Sequence, residues 1–402
     1  MTATISLPAA LEPRSTWLLT QVAAAAGLRI GDGPELAVDR DWDLESAFDH
    51  LSRREELNAS VVLDEHGRFP ASATSLGPDD RPVDDLVALV CAAAEIEPAP
   101  TYPRAARFGV VLTHDIDTPW RWTTRGIVGA ASRLKHAAQK RDVATVKTEA
   151  LGLSLLPFHK VRRSDPNWAH SRFGAIEAAR GFRSTSFVIG DHRDPHDGAA
   201  PEAYAKRRGQ LIAELLEHGE VAQHSSYTTG ADLDLLARER GNLEAWGAKV
   251  AGNRHHYLRL PWHDGTDALD RAGFSYDASL GYAERPGARA GFSFPFQPWS
   301  FKREAPLDLL EIPLVLMDAT LAESRYLELS PDAAWPVIEH ELDRLADVGG
   351  CASVLWHNDR FDRVYGRGWD KLYARLLDGI VVRGGCAGTG IEFERFWRSE
   401  RL

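Results

Sequence analysis

The chain of 402 residues carries 47 Lys and Arg against 58 Asp and Glu, a formal net charge of −11. That balance argues against a protein that coats nucleic acid or a membrane surface, since both favour a basic footprint. With 44% hydrophobic residues, 26% charged residues and 12 tryptophans, the composition is that of a globular protein with a large core, not a disordered or fibrous one. Three cysteines, Cys91, Cys351 and Cys386, form no C-x-x-C pair and are too few for a disulfide framework, which fits a reducing compartment. The start, MTATISLPAALEPRSTW, has no basic region followed by an apolar one, as a secretory leader would. The most apolar stretches, 21–28 and 86–96, fall short of the roughly 20 residues that span a bilayer. A cytoplasmic protein without a transmembrane segment is expected.

The length suits one large domain and a smaller one of roughly 100 residues. Residues 1–100 include a helix-like apolar run at 86–96 but no periodicity that defines a fold or a chemistry. At 98–107, PAPTYPRAAR sets three prolines among small and basic residues, and a boundary is placed there, leaving an N-terminal accessory α+β domain (1–100) and a larger domain (108–402). Beyond it, strands are predicted over 108–112, 184–189, 220–222, 257–260, 309–314 and 353–356. Helices are predicted over 173–180, 202–217, 232–251, 264–272, 333–346 and 369–382. Strands alternating with crossover helices predict parallel strands in a single α/β domain from about residue 108 to the end, of the kind that forms a barrel.

In such a fold the loops after the strands open on one face, so distant side chains converge there. Four such loops carry polar groups. FGVVLTHDIDTPW runs from an apolar strand into His114, Asp115 and Asp117, two carboxylates that can divide metal binding from base chemistry, or an acidic loop capping the next helix. HGEVAQHSSYTTG delivers His224, and CASVLWHNDRF delivers His357 and Asn358. NRHHYLRLPWHDG packs Arg254, His255, His256 and His263 together, and strand alternation lets only one of His255 and His256 face a common site. Each histidine, taken singly, also fits a structural role.

Together these loops resemble, in order, the motifs of the polysaccharide deacetylase family, the NodB-homology carbohydrate esterases (carbohydrate esterase family 4). THDID is similar to the first motif, HSSY to the start of the second, RHHY to the Arg-x-Pro-Tyr third and VLWHN to the last. LSRREEL and DEHGRFPAS resemble the N-terminal region of a bacterial subgroup. The resemblance covers most of 108–360 and implies a distorted (β/α)7 barrel that removes acyl groups from sugars with the help of a metal. It implies Asp115 as catalytic base, Asp117 and His224 as metal ligands, and Arg254 as the residue that orients the base. Tyr257 is implied as oxyanion donor through its backbone N–H, His357 as general acid, and Leu355 as a lining of the acyl pocket. Asp and His donors suit zinc, which lowers the pKa of a bound water and polarises a carbonyl.

The second motif's further histidine is replaced by Thr228, leaving two matched ligands where a catalytic zinc takes three. His256 is the preferred third ligand, ahead of His255 and His114. The aromatic residues Trp120, Trp122, Trp262, Phe294, Phe296 and Trp299 cluster in the same loops and suit either sugar-stacking walls or the core, with Trp120 and Trp262 taken as substrate-binding. The expected function is deacetylation of an amino-sugar-containing glycan or its precursor. The alternatives are hydrolysis of another amide, such as a formamide, and a non-catalytic carbohydrate-binding barrel. The partner is a carbohydrate and not nucleic acid, and no protein partner is indicated.

Overall fold

The computed structural model describes residues 3–96, 102–162, 164–198 and 205–402. The boundary expected at 98–107 and the start of the helix expected over 202–217 lie in part outside the described residues.

The N-terminal segment pairs β1 (Ala3–Ser6) with β2 (Leu28–Glu35) in parallel and surrounds them with α1 (Pro13–Ala25), α2 (Leu44–Ser52) and α3 (Pro82–Ala93). Pro13 opens α1, where a missing N–H costs nothing, and the run behind it buries Trp17, Leu18, Leu19 and Val22. These side chains share one core with the sheet that follows. Trp17 and Phe48 pack on Trp299 with ring centroids 5.5 and 5.8 Å apart, and Trp17 Nε1 donates to the Gln297 carbonyl at 2.9 Å.

Thereafter strands and helices alternate: β3 (Gly109–Ile116), α4 (Thr124–Lys140), α5 (Val143–Arg162), α6 (His170–Ala178), β4 (Ser184–Ile189), α7 (Arg208–His218), β5 (Gly219–Ser225), α8 (Leu233–Ala245), β6 (Gly252–His255), α9 (Trp262–Arg271) and β7 (Tyr276–Asp277). A small antiparallel pair, β8 (Trp299–Ser300) and β9 (Ala305–Pro306), precedes β10 (Leu310–Glu311), β11 (Leu314–Met317), α10 (Asp318–Ala322), α11 (Pro331–Val348), β12 (Cys351–Leu355), α12 (Trp369–Val382), β13 (Cys386–Gly388) and α13 (Gly390–Glu400). The main sheet runs β10-β7-β6-β5-β4-β3-β12-β11, with β13 on the first half of β3, and every ladder in it is parallel. It curls into a half-barrel sheathed by helices, the α/β architecture expected from the alternation. β3 is buried along its whole length, as a strand covered on both faces must be.

Several elements differ from expectation: the helix expected over 232–251 ends at Ala245, and β13 and α13 lie beyond the last predicted element. The strand expected over 257–260 is absent: β6 ends at His255, and residues 256–258 form a tight turn with Tyr257 and Leu258 at φ +61° and +56°. Tyr257 and Leu258 line a pocket, Leu260 turns into the core, and none of them extends a ladder. The strand expected over 309–314 is split into β10 and β11 around Pro313, which has no N–H to donate. Residues 124–162 form an αα-hairpin that the sequence reading lacked, because α4 buries only Ala130 and Ala137 and so has almost no apolar signature. Among the described residues no helix is long and apolar enough to cross a membrane, and Cys91, Cys351 and Cys386 are all buried.

The N-terminal segment is locked to the half-barrel by Glu56. Its carboxylate accepts from Arg53 Nε at 2.8 Å and from Arg289 Nη2 at 2.6 Å, and both arginines are buried. Arg53 also donates to the Arg289 carbonyl and to Tyr282 Oη. Glu56→Ala leaves the buried Arg289 guanidinium without its counter-charge and leaves Arg53 with Glu55 alone, so unfolding in denaturant is expected to show a loss of about 3–5 kcal/mol. A loss under about 1 kcal/mol would show that water compensates the pair.

Candidate metal centre and active site

Because the strands are parallel, their C-terminal ends share one rim, and period-2 alternation decides what each strand shows to the interior. On β3, Thr113 and Asp115 face inward and Asp117 follows just past the strand's end. On β6, Arg254 faces inward and His256 follows. β5 brings His224, and Leu355 at the end of β12 is followed by His357. A cavity of about 280 Å³ opens at this rim, lined by Asp115, Asp117, His256, Tyr257, Leu355 and His357 among others.

One donor atom from each of Asp117, His224 and His256 lies within 4.8 Å of the other two, and the same holds for Asp115, Asp117 and His357. His224 Nε2 is 3.2 Å from Asp117 Oδ1 and 3.4 Å from Asp115 Oδ2, while His256 Nε2 and His357 Nε2 are each 3.7 Å from Asp117 Oδ2. His224 Nε2 and Asp117 Oδ1 are buried and have no hydrogen-bond partner among the described residues. Two orphaned acceptors facing one another are what a bound cation would satisfy. The ring orientations agree. His224 Nδ1–H donates to the Arg254 carbonyl at 2.9 Å, and His256 Nδ1–H donates to Asp197 Oδ1 at 2.9 Å, so both rings turn Nε2 inward. Such outer partners hold the tautomer that a ligating histidine needs. The residues present therefore fit a divalent metal.

His114 and His255 have no nitrogen to spare. His114 lies on the outer face of β3, bonded to Glu177 Oε1 at 2.7 Å and to the Trp356 carbonyl at 2.7 Å, and stacked on Phe173. His255 contacts Asn253 and the Gly230 carbonyl. Thr228, at the position of the missing second-motif histidine, is exposed.

Burial alone would discharge His256 and His357, but neighbouring carboxylates outweigh it. Against that desolvation, Asp117 and Asp197 raise His256 to about 9. Asp318, at the end of β11, has its Oδ1 2.6 Å from His357 Nδ1 and accepts from Arg360 Nε at 2.9 Å on its other oxygen. Burial opposes ionisation of this pair, yet mutual attraction holds Asp318 at about 2 and raises His357 to about 10. Asp117 is held well below the usual carboxylate range despite its desolvation, chiefly by His256 and His224. Arg254 donates from Nη1 to Asp115 Oδ1 at 3.1 Å and to Thr113 Oγ1 at 2.6 Å.

The turn after β6 is strained, since non-glycine residues in the left-handed region cost on the order of 1–3 kcal/mol each. It is clamped from the N-terminal segment: Arg68 Nη1 donates to the Tyr257 carbonyl at 2.9 Å, and Arg259 Nε donates to the His66 carbonyl at 2.6 Å. Leu355 packs with Leu258, Met317 and Ala319 in a small apolar cluster at the cavity wall. Trp262 does not line the cavity. It is buried in the core against Phe296, with Nε1 donating to the Ser52 carbonyl at 3.3 Å, and Phe294, Phe296 and Trp299 are buried as well. Trp120 stands apart, in a second cavity of about 290 Å³ with Trp122, Leu156, Lys160 and Arg207.

Sequence reasoning missed Asp197, Asp318 and Arg68. Asp318 follows the apolar run LVLM, the same strand-end signal that marks Asp115, while Asp197 and Arg68 sit in loops that carry no such signal.

No family model matches the chain, and no curated protein matches it. Among solved structures, it is similar to a protein from Mycobacterium smegmatis described as a polysaccharide deacetylase (19% identity, TM-score 0.49, covering 76% of this chain and 94% of that one). It is also similar to one so described from Pseudomonas aeruginosa PAO1 (13%, 0.49, 77% and 97%) and to a CE4 family pseudoenzyme from Bacillus anthracis (13%, 0.36, 89% and 87%).

Elemental analysis after equilibration with zinc and removal of the excess is expected to find about one ion per chain, lost in Asp117→Ala, His224→Ala and His256→Ala and kept in His114→Ala and His255→Ala. Full retention in His256→Ala would remove it from the ligand set.

Proposed function

We propose that this protein is a metal-dependent hydrolase of the polysaccharide deacetylase type, removing an N-acetyl or other acyl group from an amino-sugar-containing glycan or glycan precursor. The observation that carries the reading is the meeting, in one cavity, of the Asp117–His224–His256 donor set with a carboxylate held by an arginine and a histidine held by an aspartate. Zinc suits two imidazoles and a carboxylate, and a divalent metal so bound supplies Lewis acidity and a water of lowered pKa.

The remaining roles belong to the chain. Asp115 is the base: Arg254 occupies Oδ1, leaving Oδ2, on the His224 side, to take a proton. His357 is the acid, because Asp318 keeps it protonated with Nε2 toward the cavity, and it protonates the departing amine, which cannot leave as an anion at neutral pH. The Tyr257 backbone N–H is the donor for the oxyanion, and the clamped turn pre-organises it. Leu355 and its apolar neighbours bound the space for a small acyl group. In this reading residues 108–402 are the hydrolase barrel and 1–100 an accessory unit that contributes Arg68 to the cavity wall.

Incubating the zinc-equilibrated protein with N-acetylated chito-oligosaccharides is expected to release acetate and free amine, and a chelator is expected to stop it. Asp115→Asn is expected to lower kcat by about 10²–10⁴-fold with metal content unchanged. Asp318→Asn is expected to lower kcat more than it raises KM, again with the metal retained. Formate release from an N-formyl sugar without acetate release would move the assignment to a deformylase. Sugar binding that chelators do not affect, with no acyl release, would make the protein a binding barrel.

A further inference from the structure

The αα-hairpin of residues 124–162 has no role in the chemistry above, and its surface is unlike that of the rest of the chain. Between positions 121 and 163 there are ten Lys and Arg residues and only two acidic ones, Asp142 and Glu149, in a protein of net charge −11. Glu149 is buried and consumed by Arg121 and Arg133. Arg125, Lys135, Lys140, Arg141, Lys147 and Lys160 are exposed. Alongside these cations α5 exposes large apolar side chains: Val143 (61% accessible), Leu151 (50%), Phe158 (50%) and Val161 (85%). At 3.6 residues per turn these four fall within an arc of about 80°, so they form one stripe. Val128 of α4 adds a fifth (65%).

A stripe of exposed apolar residues, here with Lys147 among them and further lysines and arginines exposed on the same hairpin, is the pattern of a helix that lies in the plane of a bilayer interface. An acidic protein surface would answer the charge but leave the stripe in water, whereas anionic headgroups over acyl chains answer both. The hairpin is also fastened to the catalytic rim. It leaves the sheet after Thr118 and returns before Asn167, both of which line the main cavity, and Asn167 Nδ2 donates to the Thr118 carbonyl at 2.7 Å. Arg121 stacks on Tyr365 at 3.5 Å, and Arg367 reaches Thr145 and Thr148 on α5. We propose that this hairpin docks the protein on an anionic phospholipid surface, with the cavity rim beside it. The inference does not rest on the hydrolase reading, since docking is read without turnover.

The test is flotation of the full chain with phosphatidylcholine vesicles, with and without phosphatidylglycerol, over a range of salt. The expected result is binding to the anionic vesicles that weakens with salt, and little binding to phosphatidylcholine alone. Neutralising three exposed cations, Lys135→Gln, Lys140→Gln and Lys147→Gln, is expected to lower affinity roughly a hundredfold. Leu151→Ser, Phe158→Ser and Val161→Ser together are expected to abolish flotation, with circular dichroism and metal content unchanged. Failure of the wild type to float at low salt overturns the proposal, as does flotation that neither variant alters. Binding to polyglutamate without binding to vesicles would assign the surface to an acidic macromolecule and overturn it equally.

Discussion

A single buried guanidinium spans the inside of the half-barrel. Arg254 is inaccessible to water, and such a charge is tolerated only when its donors are matched. It donates from Nε to the Ala278 carbonyl just past β7, from Nη1 to Thr113 and Asp115 on β3, and from Nη2 toward Ser353 on β12, and its Cζ lies 4.5 Å from the centroid of the Phe187 ring on β4. Strands that are not neighbours in the sheet are thus tied to one cation. Its backbone carbonyl meanwhile orients His224. The positions of Asp115 and His224, and through them the whole donor set, follow from satisfying this one charge.

Around it the site repeats one device. His224, His256 and His357 each engage Nδ1 with an acceptor and leave Nε2 to the cavity. Where the acceptor is a carboxylate, burial and ion pairing oppose each other, and pairing wins at both His256 and His357. His114 has the same kind of partner in Glu177, but its second nitrogen is also taken. The difference between a histidine that offers a nitrogen to the cavity and one that does not is therefore which nitrogen is left over.

Charge is segregated along the chain as sharply as along any strand. The net value of −11 averages a basic helical hairpin against a more acidic remainder, so the whole-chain balance that argues against a membrane-surface protein does not describe the surface of residues 124–162. Composition reports a sum, while a docking face depends on which side chains share it.

The sequence by itself determined what alternation along one strand can determine. Apolar runs ending in polar residues mark the rim, and parity puts Asp115 with Asp117 and Leu355 with His357 and lets only one of His255 and His256 face a common site. Local covalent geometry imposes this period whatever the surroundings. Only the tertiary structure decided which residues of different segments meet. Asp197, Asp318 and Arg68 reach the site from three separate connections, Trp262 turns into the core with the N-terminal segment, and the turn at Tyr257 replaces an expected strand. These placements depend on sheet register, on chain closure and on buried charges finding partners distant in sequence, and no local pattern of residues encodes them.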